Sequence, residues 1–251
     1  MINIKKAAAA VFCCAIFAAS FSGCDEKTSK KPTNAEPPTE YTGIVNYTPP
    51  EEGEDILVLT LKDYGDIKIK LFPDEAPKGV QNILGLTESK YFDGLIFHRI
   101  INEFMIQTGS PQGNGRGGES IWGGRFNGGV SPNLTHIAGA VAYGNAGTLD
   151  SSGSQFYIVT GEKLSDDILA QYVNAGMQKE AAELYKNNTG VPNLDGRYTI
   201  FGQVFDGLDK VFEIQKVETD ANDKPLKDVV IESMRVEKYD GSDVKFHLSD
   251  Y

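Results

Sequence analysis

The feature that most constrains this chain is its rhythm from Ile56 onward: apolar segments of strand length, each ended by a glycine-rich or charged turn. Ile56-Leu57-Val58-Leu59-Thr60-Leu61 and the alternating Ile67-Lys68-Ile69-Lys70-Leu71 flank Asp63-Tyr64-Gly65-Asp66. The folded part therefore opens with a β-hairpin. Further strands are expected at Leu95–Ile101, Met105–Gly109, Ala138–Ala142, Gln155–Thr160, Tyr198–Val204 and Val229–Glu237. Helical spacing is confined to Ala76–Ser89, to two short stretches of 162–189 parted near Asn174-Ala175-Gly176, and to Leu208–Lys216. Many short strands with few helices imply a mostly β fold, an antiparallel barrel, because closure leaves no unpaired edge.

Nothing but a core can hold such a fold together here. The only cysteines are Cys13, Cys14 and Cys24. The chain beyond them has no disulfide, no cysteine nucleophile and no thiolate metal site.

The N-terminus reads as a targeting segment. Lys5 and Lys6 precede an apolar run from Ala7 to Ala19, which falls short of the ~20 residues of a spanning helix. It closes on Phe21-Ser22-Gly23-Cys24, which resembles the lipobox of bacterial lipoproteins, with Phe21 where leucine is usual. The resemblance implies a signal peptide over 1–23, lipidation of Cys24, and an extracytoplasmic protein anchored to the bacterial cell membrane by acyl chains. Residues 24–54 are rich in Pro, Thr, Glu and Lys and poor in large aliphatics. They are expected to form a flexible linker, since they bury too little apolar surface to offset their ordering entropy. The folded domain is expected over 55–240, with a tail at 241–251.

Charge narrows the partners. The chain has 24 Lys+Arg against 35 Asp+Glu, a net −11. Removing residues 1–23 with their two lysines leaves −13. That argues against a nucleic-acid partner and against a basic membrane-binding surface.

Several chemistries fail on inspection. Gly113-Asn-Gly115-Arg-Gly-Gly118 matches a dinucleotide pattern, but the following Glu119-Ser-Ile-Trp-Gly-Gly-Arg-Phe126 cannot supply the helix that pattern needs. His98, His136 and His247 share no metal-ligand spacing, and no G-x-S-x-G elbow occurs. Neither metal nor cofactor is expected.

What remains is specific. Phe97-His98-Arg99-Ile100-Ile101-x-x-Phe104-Met105-x-Gln107-x-Gly109 puts a cation beside apolar and aromatic residues on neighbouring strands. Asn145-Ala146-Gly147, then Gly153-Ser154-Gln155-Phe156-Tyr157-Ile158, then Leu194-Asp195-Gly196-Arg197-Tyr198 follow. In this order the blocks resemble the cyclophilin family of peptidyl-prolyl cis-trans isomerases over about residues 55–238.

The resemblance implies an eight-stranded antiparallel barrel capped by two helices, with a short helical insertion near 162–192. It implies rotation about X-Pro bonds in exported polypeptides. The alternative is a non-catalytic module that holds proline segments, against which the intact Arg99, Phe104 and Gln107 argue. By resemblance, Arg99 donates toward the prolyl nitrogen and the neighbouring carbonyl. Phe104, Met105, Phe156 and Leu194 form the apolar pocket for the proline ring, and Gln107 holds the arginine and a substrate carbonyl. Asn145 binds substrate through its main chain, while Tyr157, Tyr198 and Gly115 line the rim. His98 supports without acid-base chemistry. Two residues depart from the family pattern: Asn193 stands where many members carry tryptophan, and Tyr198 replaces a common histidine. Weak cyclosporin binding is expected to follow.

Overall fold

The structure, a computed structural model, describes residues 31–251. The expected signal peptide, Cys24 and the first part of the expected linker lie outside the described residues.

Eight strands form one antiparallel sheet: β1 (Asp55–Leu61), β2 (Gly65–Leu71), β3 (Arg99–Ile101), β4 (Met105–Thr108), β5 (Ala140–Tyr143), β6 (Phe156–Val159), β7 (Ile200–Asp206) and β8 (Ile231–Lys238). Their order is β3-β4-β6-β5-β7-β2-β1-β8. The sheet curls into a half-barrel, and irregular backbone ties β8 back toward the β3 side. Gly94 N–H donates to Ile231 O (2.8 Å), Ile231 N–H to Leu95 O (2.8 Å) and Phe97 N–H to Val229 O (3.0 Å). The mostly β fold is therefore as expected, with closure made partly by a loop.

Strand alternation builds the core. Leu57, Leu59 and Leu61 on β1 and Ile67, Ile69 and Leu71 on β2 point inward into one cluster. The helices α1 (Pro77–Glu88) and α4 (Leu208–Ile214) cover it through Val80, Ile83 and Leu86 and through Leu208, Val211 and Ile214. The run Ile56–Leu59 is apolar at every position because the other face is covered too. Ile56 and Val58 pack with Phe205, Tyr239 and Phe246. Phe246 belongs to the expected tail, which folds back so that Leu208 N–H donates to Tyr251 Oη (3.0 Å).

The insertion forms α2 (Asp166–Asn174) and α3 (Lys179–Asn187). The Ser165 side chain caps α2, accepting from Ile168 N–H, and Asp166 and Asp167 stand in the first turn where the helix dipole favours them. Gly176, with φ +105°, turns the chain between the helices. Leu169 and Tyr185 bury against Ile137 and fasten the insertion to the domain.

The expected flexible linker needs correction in its described part. From Thr33 onward the segment lies on the domain as a strap. Thr33 N–H donates to Gln81 Oε1 (2.7 Å), Thr42 N–H to Asn133 Oδ1 (2.8 Å) and Val45 N–H to Asn133 O (2.9 Å). Asn46 is fully buried. Its Nδ2 donates to Thr135 O and Gln203 Oε1 (3.0 Å each), and its Oδ1 accepts from Thr135 N–H (3.0 Å). The strap is held by polar side chains of the domain, a source of order that a count of aliphatics misses.

Candidate active site

Strand pairing assembles the site from distant segments. Arg99 on β3 lies opposite Gln107 on β4, Gln107 opposite Tyr157 on β6, and Tyr157 opposite Ala142 on β5. One row of the sheet therefore reads Arg99, Gln107, Tyr157, Ala142. Period-two alternation turns these side chains to the outer face of the curl, while Ile100, Ile106, Ile158 and Val141 point into the core. The small Ala142 beside the Tyr157 ring keeps a depression in that face.

The depression is a cavity of about 130 Å³ lined by Arg99, Phe104, Met105, Gln107, Gly144, Asn145, Tyr157, Leu194 and Tyr198. That is smaller than the roughly 300–1,000 Å³ of sites for drug-sized ligands and suits one small ring. Phe104 comes from the β3–β4 turn. Leu194 and Tyr198 come from the turn before β7, fixed from below by Asp195. Its Oδ1 meets His136 Nδ1 and its Oδ2 accepts from Tyr185 Oη, both at 2.8 Å. The Asn145 side chain donates to Arg197 O (3.0 Å), which leaves its main chain at the cavity edge. Burial holds the Tyr157 hydroxyl protonated, far above its ordinary range, with Tyr198 and Asp195 adding to the effect. Tyr157 thus acts as an apolar floor more than as a rim.

Eight of the expected residues meet at this cavity; Phe156 and Gly115 do not. Phe156 is fully buried in the barrel core, stacked edge-to-face on Phe92 at 5.4 Å. It and Tyr157 are adjacent on one strand and must face opposite ways, so Tyr157 takes the pocket role expected of Phe156. Gly115 lies in an adjoining recess of about 500 Å³ shared with His98, Arg99 and Gln107. Its carbonyl accepts from Gln155 Nε2 (2.9 Å). Gln155 sits two residues before Tyr157, on the same face, and that spacing is the signal by which sequence reasoning could have found it.

Gln107 also departs from one part of its expected role, the hold on the arginine. Its Nε2 donates to Gln155 Oε1 (3.0 Å), whereas Arg99 is held by Asp223, whose Oδ2 accepts from Nε at 3.2 Å. Asp223 sits in a left-handed backbone conformation (φ +64°), and its carbonyl accepts from Ile100 N–H (2.8 Å). Nothing in the local sequence points to this partner 124 residues away. With Nε engaged, the terminal nitrogens of the fork, on a side chain that lines the cavity, are left for other acceptors. Among the described residues they have no protein partner.

His98 is buried behind Arg99. Burial, reinforced by the Arg99 and Lys224 charges, lowers its pKa from 6.5 to about 4. It is neutral at pH 7 and so is not poised there as a general acid. Between pH 6.5 and about 4 the unfolded chain binds the proton that the folded chain refuses, so stability is full above 6.5 and falls as pH drops through that window. The melting temperature should therefore be lower at pH 5 than at pH 7. His98→Gln should flatten part of that slope. An unchanged slope in the variant would place the titrating group elsewhere.

Comparison with known proteins comes to the same place. The family model described as cyclophilin type peptidyl-prolyl cis-trans isomerase matches residues 56–236. A Staphylococcus haemolyticus protein, provisionally named a peptidyl-prolyl cis-trans isomerase, is 41% identical over 186 residues, covering 74% of this chain and 93% of that one. A Staphylococcus aureus protein of the same provisional name is 41% identical over 188 residues, covering 75% and 94%. Among solved structures, a Cryptosporidium parvum cyclophilin type peptidyl-prolyl cis-trans isomerase, determined in the presence of the dipeptide Ala-Pro, superposes with a TM-score of 0.59. It is 28% identical and covers 73% of this chain and 99% of its own.

Proposed function

The chain belongs to the cyclophilin-type peptidyl-prolyl cis-trans isomerases, and on that premise we propose that the Arg99 cavity binds the proline of extended polypeptides and rotates the preceding bond. The observation that carries this is the register of Arg99, Gln107 and Tyr157 across three strands at the lip of a ring-sized cavity.

The reaction needs little beyond that geometry. A peptide bond resists rotation by about 18–20 kcal/mol because the nitrogen lone pair is delocalised. An X-Pro bond has nearly balanced isomers that exchange over tens to hundreds of seconds unaided. No bond is made or broken. In the twisted state the prolyl nitrogen regains its lone pair and becomes an acceptor. A guanidinium fixed through Nε by Asp223 presents its other N–H groups to that nitrogen at no cost in reorganisation. Phe104, Met105, Tyr157 and Leu194 fix the ring while the acyl side turns. Exchange spectroscopy on an Ala-Pro peptide with catalytic amounts of protein tests this. A cross-peak rate no faster than the unaided one would leave only a binding module.

The clients we infer are exported proteins, met on the outer side of a membrane to which lipidated Cys24 ties the domain. The Phe21-Ser22-Gly23-Cys24 box after a short apolar run supports this reading, and the −13 charge speaks against a basic anchor. Cys24→Ser should move the protein from the membrane fraction to the soluble fraction. A variant that stays with membranes through a high-salt wash would overturn the lipid anchor.

Cyclosporin binding should be weak. Asn193 is exposed on the turn beside Leu194, where the family resemblance leads one to expect a tryptophan. An aromatic anchor in a pocket is commonly worth ~2 kcal/mol or more, over tenfold in affinity. Asn193→Trp should therefore tighten cyclosporin inhibition at least ~10-fold with no matching gain in turnover. Tight inhibition of the natural sequence would contradict this.

A further inference from the structure

Across the turn that carries Leu194 and Tyr198 lies a second cavity, larger than the proline pocket, at about 610 Å³. Three separate segments build it together with that turn. The strap contributes Ile44, the loop before β5 contributes Pro132 and Leu134, and the insertion contributes Tyr172, Met177 and Ala181. The lining is carbon-rich, and its one charged side chain, Asp195, is already engaged by His136 and Tyr185.

The two cavities share a wall. Leu194 faces the proline pocket, while the next residues, Asp195 and Gly196, face the larger cavity. The crest is low. Asn193 and Gly196 are both exposed, and a Cβ built on Gly196 would meet nothing within 4 Å. One tight turn is about 10 Å across, two chain spacings of ~5 Å. An extended polypeptide advancing about 3.3 Å per residue crosses it in three to four residues.

We propose that this cavity is a second substrate subsite, which takes an apolar side chain of the client three to four residues from the isomerising proline. The inference rests on the isomerase reading and extends it: the preferred substrate is an unfolded segment with a large apolar residue at that distance, not proline alone. Continuity with the proline pocket through the shared turn favours a client chain over a second copy of this protein. The large apolar side chains that are exposed, Ile168, Leu226, Leu248 and Tyr251, are scattered over α2, a loop and the C-terminus among the described residues. They form no protruding apolar segment that would seat in a partner's cavity.

The test uses the full chain and two peptides of equal length with a central Ala-Pro. One carries Leu three and four residues from the proline on both sides, and the other carries Ser there. Isomerisation is read by exchange spectroscopy and binding by fluorescence anisotropy. The Leu peptide should show a KM at least tenfold below that of the Ser peptide. Met177→Asp, in the insertion, and Ile44→Asp, in the strap, should each erase that difference while leaving turnover of the Ser peptide within twofold. Because the two variants sit in different segments, a folding defect in one would lower both peptides in that variant alone and leave the other to decide. Equal KM values in the natural protein would overturn the subsite. So would variants that keep the tenfold difference, or a dimer that Met177→Asp dissociates without touching peptide discrimination. Tighter binding of the Leu peptide without turnover of either peptide would instead sink the isomerase reading and leave the subsite standing.

Discussion

Arg99→Ala should lower isomerase turnover by ~100-fold or more, the usual loss when one preorganised donor is removed from a site where charge develops. The geometry makes the loss specific to the transition state. Arg99 sits at the lip of the cavity, while the ring contacts come from Phe104, Met105, Tyr157 and Leu194. Those remain in the variant, so peptide affinity should change far less than turnover. Stability should barely move, because the Arg99 side chain is 42% exposed and its pair with Asp223 is equally open to solvent. Exposed pairs of this kind contribute about 0–1 kcal/mol. Arg99→Lys should also be poor, since an ammonium cannot hold Asp223 with one nitrogen and offer a planar pair of donors with the others. Asp223→Ala should give a smaller loss that falls on kcat, because it frees the guanidinium without removing it. Near-normal exchange rates in Arg99→Ala would remove the proposed mechanism, whatever the pocket binds.

Asn46→Ala should destabilise the protein by about 3 kcal/mol. The side chain satisfies the Thr135 amide, the Thr135 carbonyl and Gln203 Oε1 at a fully buried position. Each buried group left without a partner costs about 1–3 kcal/mol. For a domain of this size that corresponds to a fall of roughly 6–12 °C in melting temperature. The prediction separates two views of the segment before β1. A flexible tether would tolerate the change to within about 0.5 kcal/mol, as exposed substitutions do. A strap would not. Thermal unfolding followed by circular dichroism decides between them, and a melting temperature within two degrees of the natural protein would restore the tether. The outcome also bears on the larger cavity, because Ile44 lines it only while the strap is seated.

Much of the site is legible in the sequence. Arg99 and Ile101, like Met105 and Gln107, are two apart and must share a face of their strands, so the first motif alone puts the cation beside its apolar neighbours. The same rule, applied to Gln155-Phe156-Tyr157, separates Phe156 from Tyr157 and assigns Gln155 to the site. A strand's period of two, and not the block as a whole, sorts these three residues between core and site. The apolar run Ile56–Leu59 likewise announced a strand covered on both faces, although not by what; the answer, Phe246, lies in the stretch expected to be a tail.

The strands, the helices, the isomerase family and most of the pocket can be read from the chain alone, because each depends on spacing within a few residues and on blocks that stand in a fixed order. Contacts across the fold settle the rest: Asp223 holds Arg99, Asn46 seats the strap, and the insertion and strap enclose a cavity beside the proline pocket. These contacts join residues 124, 89 and 157 positions apart. They are made by single polar groups whose partners leave no periodic trace; at Asn46 the energy comes from satisfying buried donors and acceptors, while the solvent-open Arg99–Asp223 pair forms because the fold brings its members together.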